Sequence, residues 1–199
     1  MLFRSSDHTG GALALKRQFP EATVLSSITE SHWLSRSMPM QRCEAGQTWT
    51  WDGVVFDVLH PTAADYEKRL SPNARSCVVR IRAQGQTVLL TADIEALQEQ
   101  QLVQRLGWGL KADVLLVPHH GSKTSSTEGF IDTVQPRWAL FQHGYRNRYG
   151  HPAAQVVQRY VSRGIQTLYS PQCGAMHWRS DEPLEVQCET ELNRRYWRQ

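Results

Sequence analysis

Hydrophobic and polar positions alternate along this chain in blocks whose period changes between that of a strand and that of a helix. Two β-rich runs flank Asp52-Gly53, a pair that favours a tight hairpin. Apolar positions at helical spacing over 95–106 end at Gly107, and the continuous apolar run 114–117 is typical of a strand covered on both faces. The pattern predicts helices at 12–19, 95–106, 127–134 and 152–162, and strands at 23–25, 49–51, 54–59, 77–83, 87–91, 114–117, 138–141 and 165–169.

This alternation of strands and helices predicts an α/β fold with helices packed outside the sheets. A chain of 199 residues with 40% hydrophobic content can bury one substantial core, so we interpret residues 1–199 as a single domain. The net charge of +3 tolerates a polyanionic substrate but does not by itself indicate one.

Targeting signals and cysteine spacing help to decide which class of protein this is. No stretch approaches 18 apolar residues and the N-terminus lacks a signal-peptide pattern, so we expect a soluble chain without a targeting signal. The four cysteines contain no C-x-x-C pair, which argues against a structural zinc site and favours packed thiols. Cys173 and Cys188 could form a bridge if the segment between them folds back as a hairpin.

Candidate chemistry is concentrated where predicted strands end. Asp93 follows the strand at 87–91, and His119-His120 follows the run at 114–117. Asp7-His8 precedes a Gly-Gly helix start, and His151 precedes the helix that begins at Pro152. Imidazole and carboxylate are ligands of zinc and manganese, and an open site built from them activates water. Each histidine alone could be a solvated or core residue, but their common position favours a metal site.

These segments also carry a resemblance to a known family. Residues 6–11 (SDHTGG) resemble the second half of the H-x-(H/D)-x-D-H motif of the metallo-β-lactamase superfamily, and 89–95 (LLTADIE) resemble its bridging-aspartate segment. Residues 117–126 (VPHHGSKTSS) and 144–152 (GYRNRYGHP) are similar to segments of the ComEC family of DNA-internalisation proteins, and 73–79 (NARSCVV) are compatible with a strand of that family. The resemblance implies a metallo-β-lactamase-like αββα sandwich that lacks its opening strands.

The resemblance also implies roles for particular residues. Divalent zinc or manganese ions, up to two, would be bound by a set consisting of Asp7, His8, Asp93, His119 and His151. His119 and His120 would supply a ligand and a proton donor, with the assignment between them left open. Contacts to the phosphodiester would come from Ser122, Lys123, Asn147 and Arg148, and we count His119, His120, Lys123 and Asn147 as candidate catalytic residues.

The match departs from the family pattern at the N-terminus. Phe3 stands where the first histidine of the motif belongs, and Ser5 stands where the second histidine or aspartate belongs. A phenyl ring cannot bind a metal, and a neutral hydroxyl is a poor ligand for a transition metal. Two explanations remain open: a divergent domain that has lost part of its site, or a fragment of a longer gene product.

Three hypotheses for the function follow from the resemblance. The first is a metal-dependent phosphodiesterase or nuclease that acts on single-stranded DNA during uptake. The second is a catalytically inactive remnant that binds DNA or docks on the membrane channel of a ComEC-like protein, as Phe3 and Ser5 suggest. The third is a hydrolase of a small ester or thioester on the same fold. As part of a ComEC-like protein, the domain would lie on the outer, periplasmic face of the inner membrane; no nucleotide cofactor is expected.

Overall fold

A mixed β-sheet of seven strands is the centre of the fold in the computed structural model, which describes residues 6–194 and, for Ser6 and Asp7, the backbone alone. The strands are β1 (Leu25–Ser26), β2 (Gln41–Arg42), β3 (Thr48–Trp51), β4 (Val54–His60), β5 (Val78–Ala83), β6 (Gln86–Leu90), β7 (Val114–Leu116), β8 (Trp138–Phe141), β9 (Gln166–Tyr169), β10 (Met176–Trp178) and β11 (Val186–Cys188). The helices are α1 (Ser6–Thr9), α2 (Ala12–Gln18), α3 (Trp33–Ser37), α4 (Ala63–Tyr66), α5 (Ala96–Leu106), α6 (Glu128–Val134), α7 (Ala154–Val161), α8 (Ser170–Cys173) and α9 (Glu189–Leu192).

The large sheet joins two kinds of strand pairing. Strands β3 to β6 are antiparallel neighbours, and the first hairpin turns at Asp52-Gly53, where both residues have positive φ as predicted. Strands β6 to β9 are parallel, so each connection must cross the sheet, and α5, α6 and α7 make these crossings. The carboxyl ends of these four parallel strands therefore lie along one edge.

The main core lies between the large sheet and its crossover helices. Leu89, Leu115 and Ala139 are aligned in register on β6, β7 and β8, and none of them is exposed. They pack with buried helix residues that include Leu102, Phe130, Ile131, Val156 and Tyr160. This packing explains the apolar runs in the sequence, and the α/β fold class is confirmed.

A buried carboxylate ties two crossover helices together. Glu99 of α5 is fully buried and accepts hydrogen bonds from the backbone N–H of Ser126 (2.5 Å) and of Thr127 (2.7 Å) just before α6. Burial raises the pKa of Glu99, and these two N–H donors and the charge of Arg159 oppose the rise. Glu99 thereby anchors the end of the loop that carries His119 and His120.

The cysteines correct the prediction of packed thiols. Cys173 and Cys188 form a disulfide that links α8 to the end of β11, the bridge considered possible from the sequence. Cys43 and Cys77 form a second disulfide over a separation of 34 residues. The sequence could not indicate this second pair, because only the folding of β1 and β2 against β4 and β5 brings the two residues together.

The described residues 6–194 include no helix that is both long and apolar enough to cross a membrane.

His60 gives the fold a specific sensitivity to acid. Its imidazole is buried at the end of β4, and Nε2 lies 2.9 Å from the carbonyl oxygen of Ala74. Desolvation lowers the pKa of His60 despite this hydrogen bond and the nearby charge of Asp65, while the charge of Arg105 adds to the lowering. The unfolded chain binds a proton on this histidine near pH 6.5, whereas the folded chain resists it. The contribution of His60 to the free energy of unfolding is therefore fully present above about pH 6.5, and it is lost as the pH decreases below that value.

We expect His60→Gln to flatten this dependence by at most about 1.4 kcal/mol per pH unit. Urea unfolding of the wild type and the variant at pH 7.5 and 5.5 measures it. His177→Gln is the matched control, because His177 is an exposed histidine whose contact with Glu189 lies on the C-terminal hairpin. Equal pH slopes for wild type and His60→Gln would contradict the assignment.

Candidate metal centre

The candidate site lies along the carboxyl ends of parallel strands. Asp93 follows β6, His119 and His120 follow β7, and His143 and His151 follow β8. Loops at this edge of an open parallel sheet are the usual place for ligand sites. The loops are also joined to one another, because the backbone N–H of His119 donates to the carbonyl oxygen of Ala92 at 3.0 Å.

Three side chains converge with the spacing of a metal site. His8 Nε2 lies 3.2 Å from Asp93 Oδ1, and His120 Nε2 lies 3.4 Å from the same oxygen. One ligand atom from each of the three residues lies within 4.8 Å of the other two. Two imidazoles and one carboxylate match the donor set of an open zinc-type site, which leaves a coordination position for water. The residues present therefore fit a divalent metal ion.

Neighbouring groups orient two of these ligands. His120 Nδ1 lies 2.6 Å from the carbonyl oxygen of Gln142, so Nδ1 carries the proton and Nε2 presents a lone pair to the cluster. The backbone N–H of Asp93 donates to Ser76 Oγ at 3.1 Å, which fixes the start of the loop after β6. Such second contacts of metal ligands set the tautomer and the direction of the ring.

The charge of Asp93 is favoured in this setting. Burial raises the pKa of Asp93, but the hydrogen bond and charge of His8 and the charges of His120 and His119 outweigh it, so the pKa lies below its usual value. The buried carboxylate is therefore ionised at neutral pH. An ionised carboxylate between two imidazoles is the form that binds a cation.

His119 lies outside the three-residue cluster and has its own partners. Its Nδ1 lies 3.4 Å from Glu95 Oε1 and 3.3 Å from Thr124 Oγ1, and its Nε2 lies 3.4 Å from Asn73 Nδ2. The Thr124 hydroxyl also donates to Glu95 Oε1 at 2.8 Å. A carboxylate at Nδ1 holds an imidazole in one orientation. The arrangement suits a histidine that exchanges a proton through Nε2.

The two adjacent histidines separate because of their backbone. His119 and His120 have φ values of 49° and 56°, a left-handed conformation that non-glycine residues adopt infrequently. Their ring centroids lie 6.3 Å apart with an interplanar angle of 63°. Backbone strain of this kind accumulates at functional sites, where the surrounding structure maintains it. Here it directs one ring to the cluster and the other to Glu95.

His151 lies beside His119 rather than in the cluster. The centroids of these two rings are 5.8 Å apart, and burial together with the charges of His119 and His120 lowers the pKa of His151. The side chain of Asn147 holds the preceding loop, since Oδ1 accepts from the His151 N–H at 3.0 Å and Nδ2 donates to the His151 carbonyl at 2.6 Å. His151 therefore borders the cluster from the loop after β8.

The structure thus gathers only part of the predicted set. Phe3 and Ser5 lie outside the described residues, and the side chain of Asp7 is not described. Lys123 and Arg148 are exposed. Ser122 is buried within its own loop, where its Oγ accepts from the Thr124 N–H at 3.3 Å. The roles assigned to all of these residues from the sequence stay predictions.

Two contributors to the site have no signal of their own in the sequence. Glu95 begins the predicted helix and does cap α5, but no sequence pattern indicates its contact with His119. The carbonyl of Gln142 acts through the backbone, so its side chain could not indicate it. A backbone partner of this kind becomes visible only when β7 and β8 are placed side by side.

Comparison with known proteins identifies the family of the chain. A family model described as "Metallo-beta-lactamase superfamily" matches residues 6–137. The chain is 35% identical over 173 residues to "Competence protein ComA" of Neisseria gonorrhoeae. The aligned residues make up 87% of this chain and 24% of that protein. It is 40% identical over 124 residues to "ComE operon protein 3" of Bacillus subtilis, 62% of this chain and 16% of that protein. The chain thus spans a quarter or less of the length of these relatives.

Solved structures show the same fold at lower identity. Igni18, described as a metallo hydrolase from the archaeon Ignicoccus hospitalis, superposes with a TM-score of 0.54 at 18% identity, over 94% of this chain and 76% of the other. This likeness concerns the fold alone. Together the matches confirm the resemblance to the ComEC family and the fold class predicted from the sequence.

Proposed function

The chain belongs to the metallo-β-lactamase superfamily, and from this membership we propose that it is a metal-dependent phosphodiesterase domain that cleaves single-stranded DNA during DNA uptake. The observation that carries the proposal is the cluster of His8, Asp93 and His120 beside a separately oriented His119. The name of one relative, "Competence protein ComA", supports the biological setting.

We assign the metal to His8, Asp93 and His120. A bound zinc or manganese ion supplies Lewis acidity: it lowers the pKa of water and polarises a phosphoryl oxygen. Asp7, which follows the family motif, is proposed as a further ligand, and Asp93 as the residue shared with a second ion. His119 and His151 are placed at the border of this set, because each ring lies against the other rather than in the cluster.

His119 is proposed to donate the proton that the leaving oxygen of the phosphodiester needs. Glu95 and Thr124 hold Nδ1, so Nε2 can give a proton to the oxygen that leaves when the phosphodiester is cleaved. Lys123 and Arg148 are exposed cations on the two loops that border the cluster, and they are proposed to contact the flanking phosphates. Asn147, predicted to contact phosphate, has its amide engaged in holding the loop before His151, so its contribution is to position that loop.

The setting is proposed from the family and supported by the cysteines. Disulfides persist in oxidising compartments, and the described residues contain two. This supports a place on the periplasmic face of the inner membrane, next to the channel part of a ComEC-like protein. The partners are then the channel and the incoming single strand.

A His119→Ala variant tests the catalytic proposal. We expect the wild type, loaded with manganese or zinc, to cleave a single-stranded oligonucleotide, and His119→Ala to cleave it about 100-fold more slowly while its metal content is unchanged. Metal content is measured by mass spectrometry and cleavage by gel electrophoresis. His177→Ala is the matched control, since it removes a histidine from an exposed contact with a glutamate on the C-terminal hairpin.

Other outcomes would revise the proposal in defined ways. Loss of metal in His119→Ala would make His119 a ligand rather than the proton donor. A metal-loaded wild type that cleaves no DNA would favour the non-catalytic module that Phe3 and Ser5 suggest. Turnover of a plain carboxylic ester without DNA cleavage would favour an esterase on the same fold.

A further inference from the structure

The loop between β8 and α7 exposes two aromatic rings that no part of the mechanism uses. Tyr145 is 73% exposed and Tyr149 is 66% exposed. An arginine accompanies each ring: the guanidinium carbon of Arg146 lies 5.2 Å from the centroid of Tyr145, and that of Arg148 lies 4.9 Å from the centroid of Tyr149. Tyrosine combines an apolar ring with a polar hydroxyl and is enriched at binding interfaces, so this loop is a candidate binding surface.

The loop is connected to the candidate metal centre through a series of rings. Tyr149 stacks on His151 with centroids 5.9 Å apart and an interplanar angle of 17°. His151 in turn lies 5.8 Å from His119. A planar group bound on the open face of Tyr149 would therefore be separated from His151 by the Tyr149 ring alone, so it would continue the series of rings that leads to the site.

The loop is also held in shape before any partner binds. Asn147 accepts from the His151 N–H, donates to the carbonyls of Gly144 and His151, and accepts from the Gly150 N–H through its own carbonyl at 3.2 Å. Arg148 Nη2 donates to the Tyr149 hydroxyl at 2.7 Å. A loop that is already ordered loses less conformational entropy on binding, which favours affinity.

We infer that Tyr145 and Tyr149 are a stacking platform for unpaired bases of a single-stranded nucleic acid, with Arg146 and Arg148 at its phosphates. This inference rests on the proposed function for its substrate and adds the means by which the strand is selected. Exposed rings accept the face of any base, and only unpaired bases offer a face. Guanidinium groups beside the rings match the alternation of base and phosphate along one strand. A duplex, whose bases are stacked on one another, would engage the arginines alone.

The test is the affinity of the metal-free chain for a labelled oligothymidine, measured by fluorescence anisotropy at constant low salt with a chelator present. We expect Tyr145→Ala and Tyr149→Ala each to weaken binding by about tenfold, as loss of one stacked base does, and Tyr145→Phe, which keeps the ring, to bind like the wild type. Trp108→Ala is the matched control. Trp108 is 74% exposed but follows α5 at the opposite edge of the sheet.

Two further ligands separate stacking from charge. An abasic strand with the same number of phosphates should bind wild type and Tyr149→Ala equally, and so should a duplex. Equal affinities of the wild type and the alanine variants for oligothymidine would overturn the platform. Tyrosine-dependent binding to anionic phosphatidylglycerol vesicles without binding to oligothymidine would also overturn it, in favour of a membrane contact.

The proposed function is tested separately by adding a small phosphodiester, bis(p-nitrophenyl) phosphate, to the metal-loaded wild type. This compound has no consecutive bases for the two tyrosines to bind. Hydrolysis of this compound together with equal oligothymidine affinities would sink the platform and spare the enzyme. Tyrosine-dependent binding of oligothymidine without any hydrolysis would sink the enzyme and support the platform.

Discussion

Replacing Asp93 by asparagine is expected to lower the affinity for zinc or manganese by about 100-fold or more and to reduce DNA cleavage to background. Changes to the outer contacts of metal ligands already cost about 10–100-fold, and Asp93 is a direct member of the cluster that provides its negative charge. Its Oδ1 lies within 3.4 Å of both His8 and His120, so an amide there leaves two imidazoles around a neutral oxygen. Metal affinity is measured by competition with a fluorescent chelator.

Folding of the variant can be separated from metal binding. Asparagine preserves the size of the side chain, and the Asp93 N–H can still donate to Ser76. Wild-type chain should melt at a higher temperature when metal is added, because a ligand that binds the folded state stabilises it, whereas Asp93→Asn should not respond. Asp132→Asn is the control, because Asp132 is an aspartate on α6 that is ion-paired with Arg163. Stoichiometric metal in Asp93→Asn would show that the ion is held elsewhere.

The architecture followed closely from the sequence because its signals are local. The hairpin at Asp52-Gly53 and the strands around Leu89 and Leu115 were placed within one or two residues, since apolar period and turn chemistry depend on neighbours in the chain. Cys43 and Cys77 were not paired in advance, because their approach depends on how distant strands pack.

The site was predictable in its location but not in its internal geometry. Residues that follow buried parallel strands meet at one edge, which explains why Asp93 and the His119-His120 pair, each predicted to follow a strand, lie close together. The sequence cannot predict which of the two rings joins the cluster and which contacts Glu95. The directions of the rings depend on two consecutive residues in the left-handed conformation, which sequence patterns do not indicate. Glu95 likewise becomes a partner of His119 only through the placement of the loop that contains Thr124.

Gly121→Ala is expected to destabilise the fold by about 4 kcal/mol, because the loop after His120 has no space for a methyl group. Gly121 has a φ of +80°, and a Cβ there would lie 2.7 Å from Pro152 Cβ and 3.0 Å from two ring carbons of Phe141. Phe141 is fully buried, and Ala153, which follows Pro152, is tied to the loop because it donates its N–H to the Gly121 carbonyl at 2.9 Å. Urea unfolding followed by tryptophan fluorescence measures the loss.

Gly164→Ala isolates the crowding from the backbone strain. Gly164 follows α7 with a φ of +69°, and a Cβ there would meet nothing within 4 Å, so its alanine variant should lose only the roughly 1–2 kcal/mol of the left-handed conformation. The additional loss in Gly121→Ala comes from contacts that could be relieved only by moving Pro152 or the His119-His120 turn. Such a movement also changes the direction of the His120 ring, so Gly121→Ala should weaken metal binding while Gly164→Ala should not. Equal destabilisation by the two substitutions, with metal affinity intact in both, would mean that the loop yields freely and that close packing does not fix the ligand geometry.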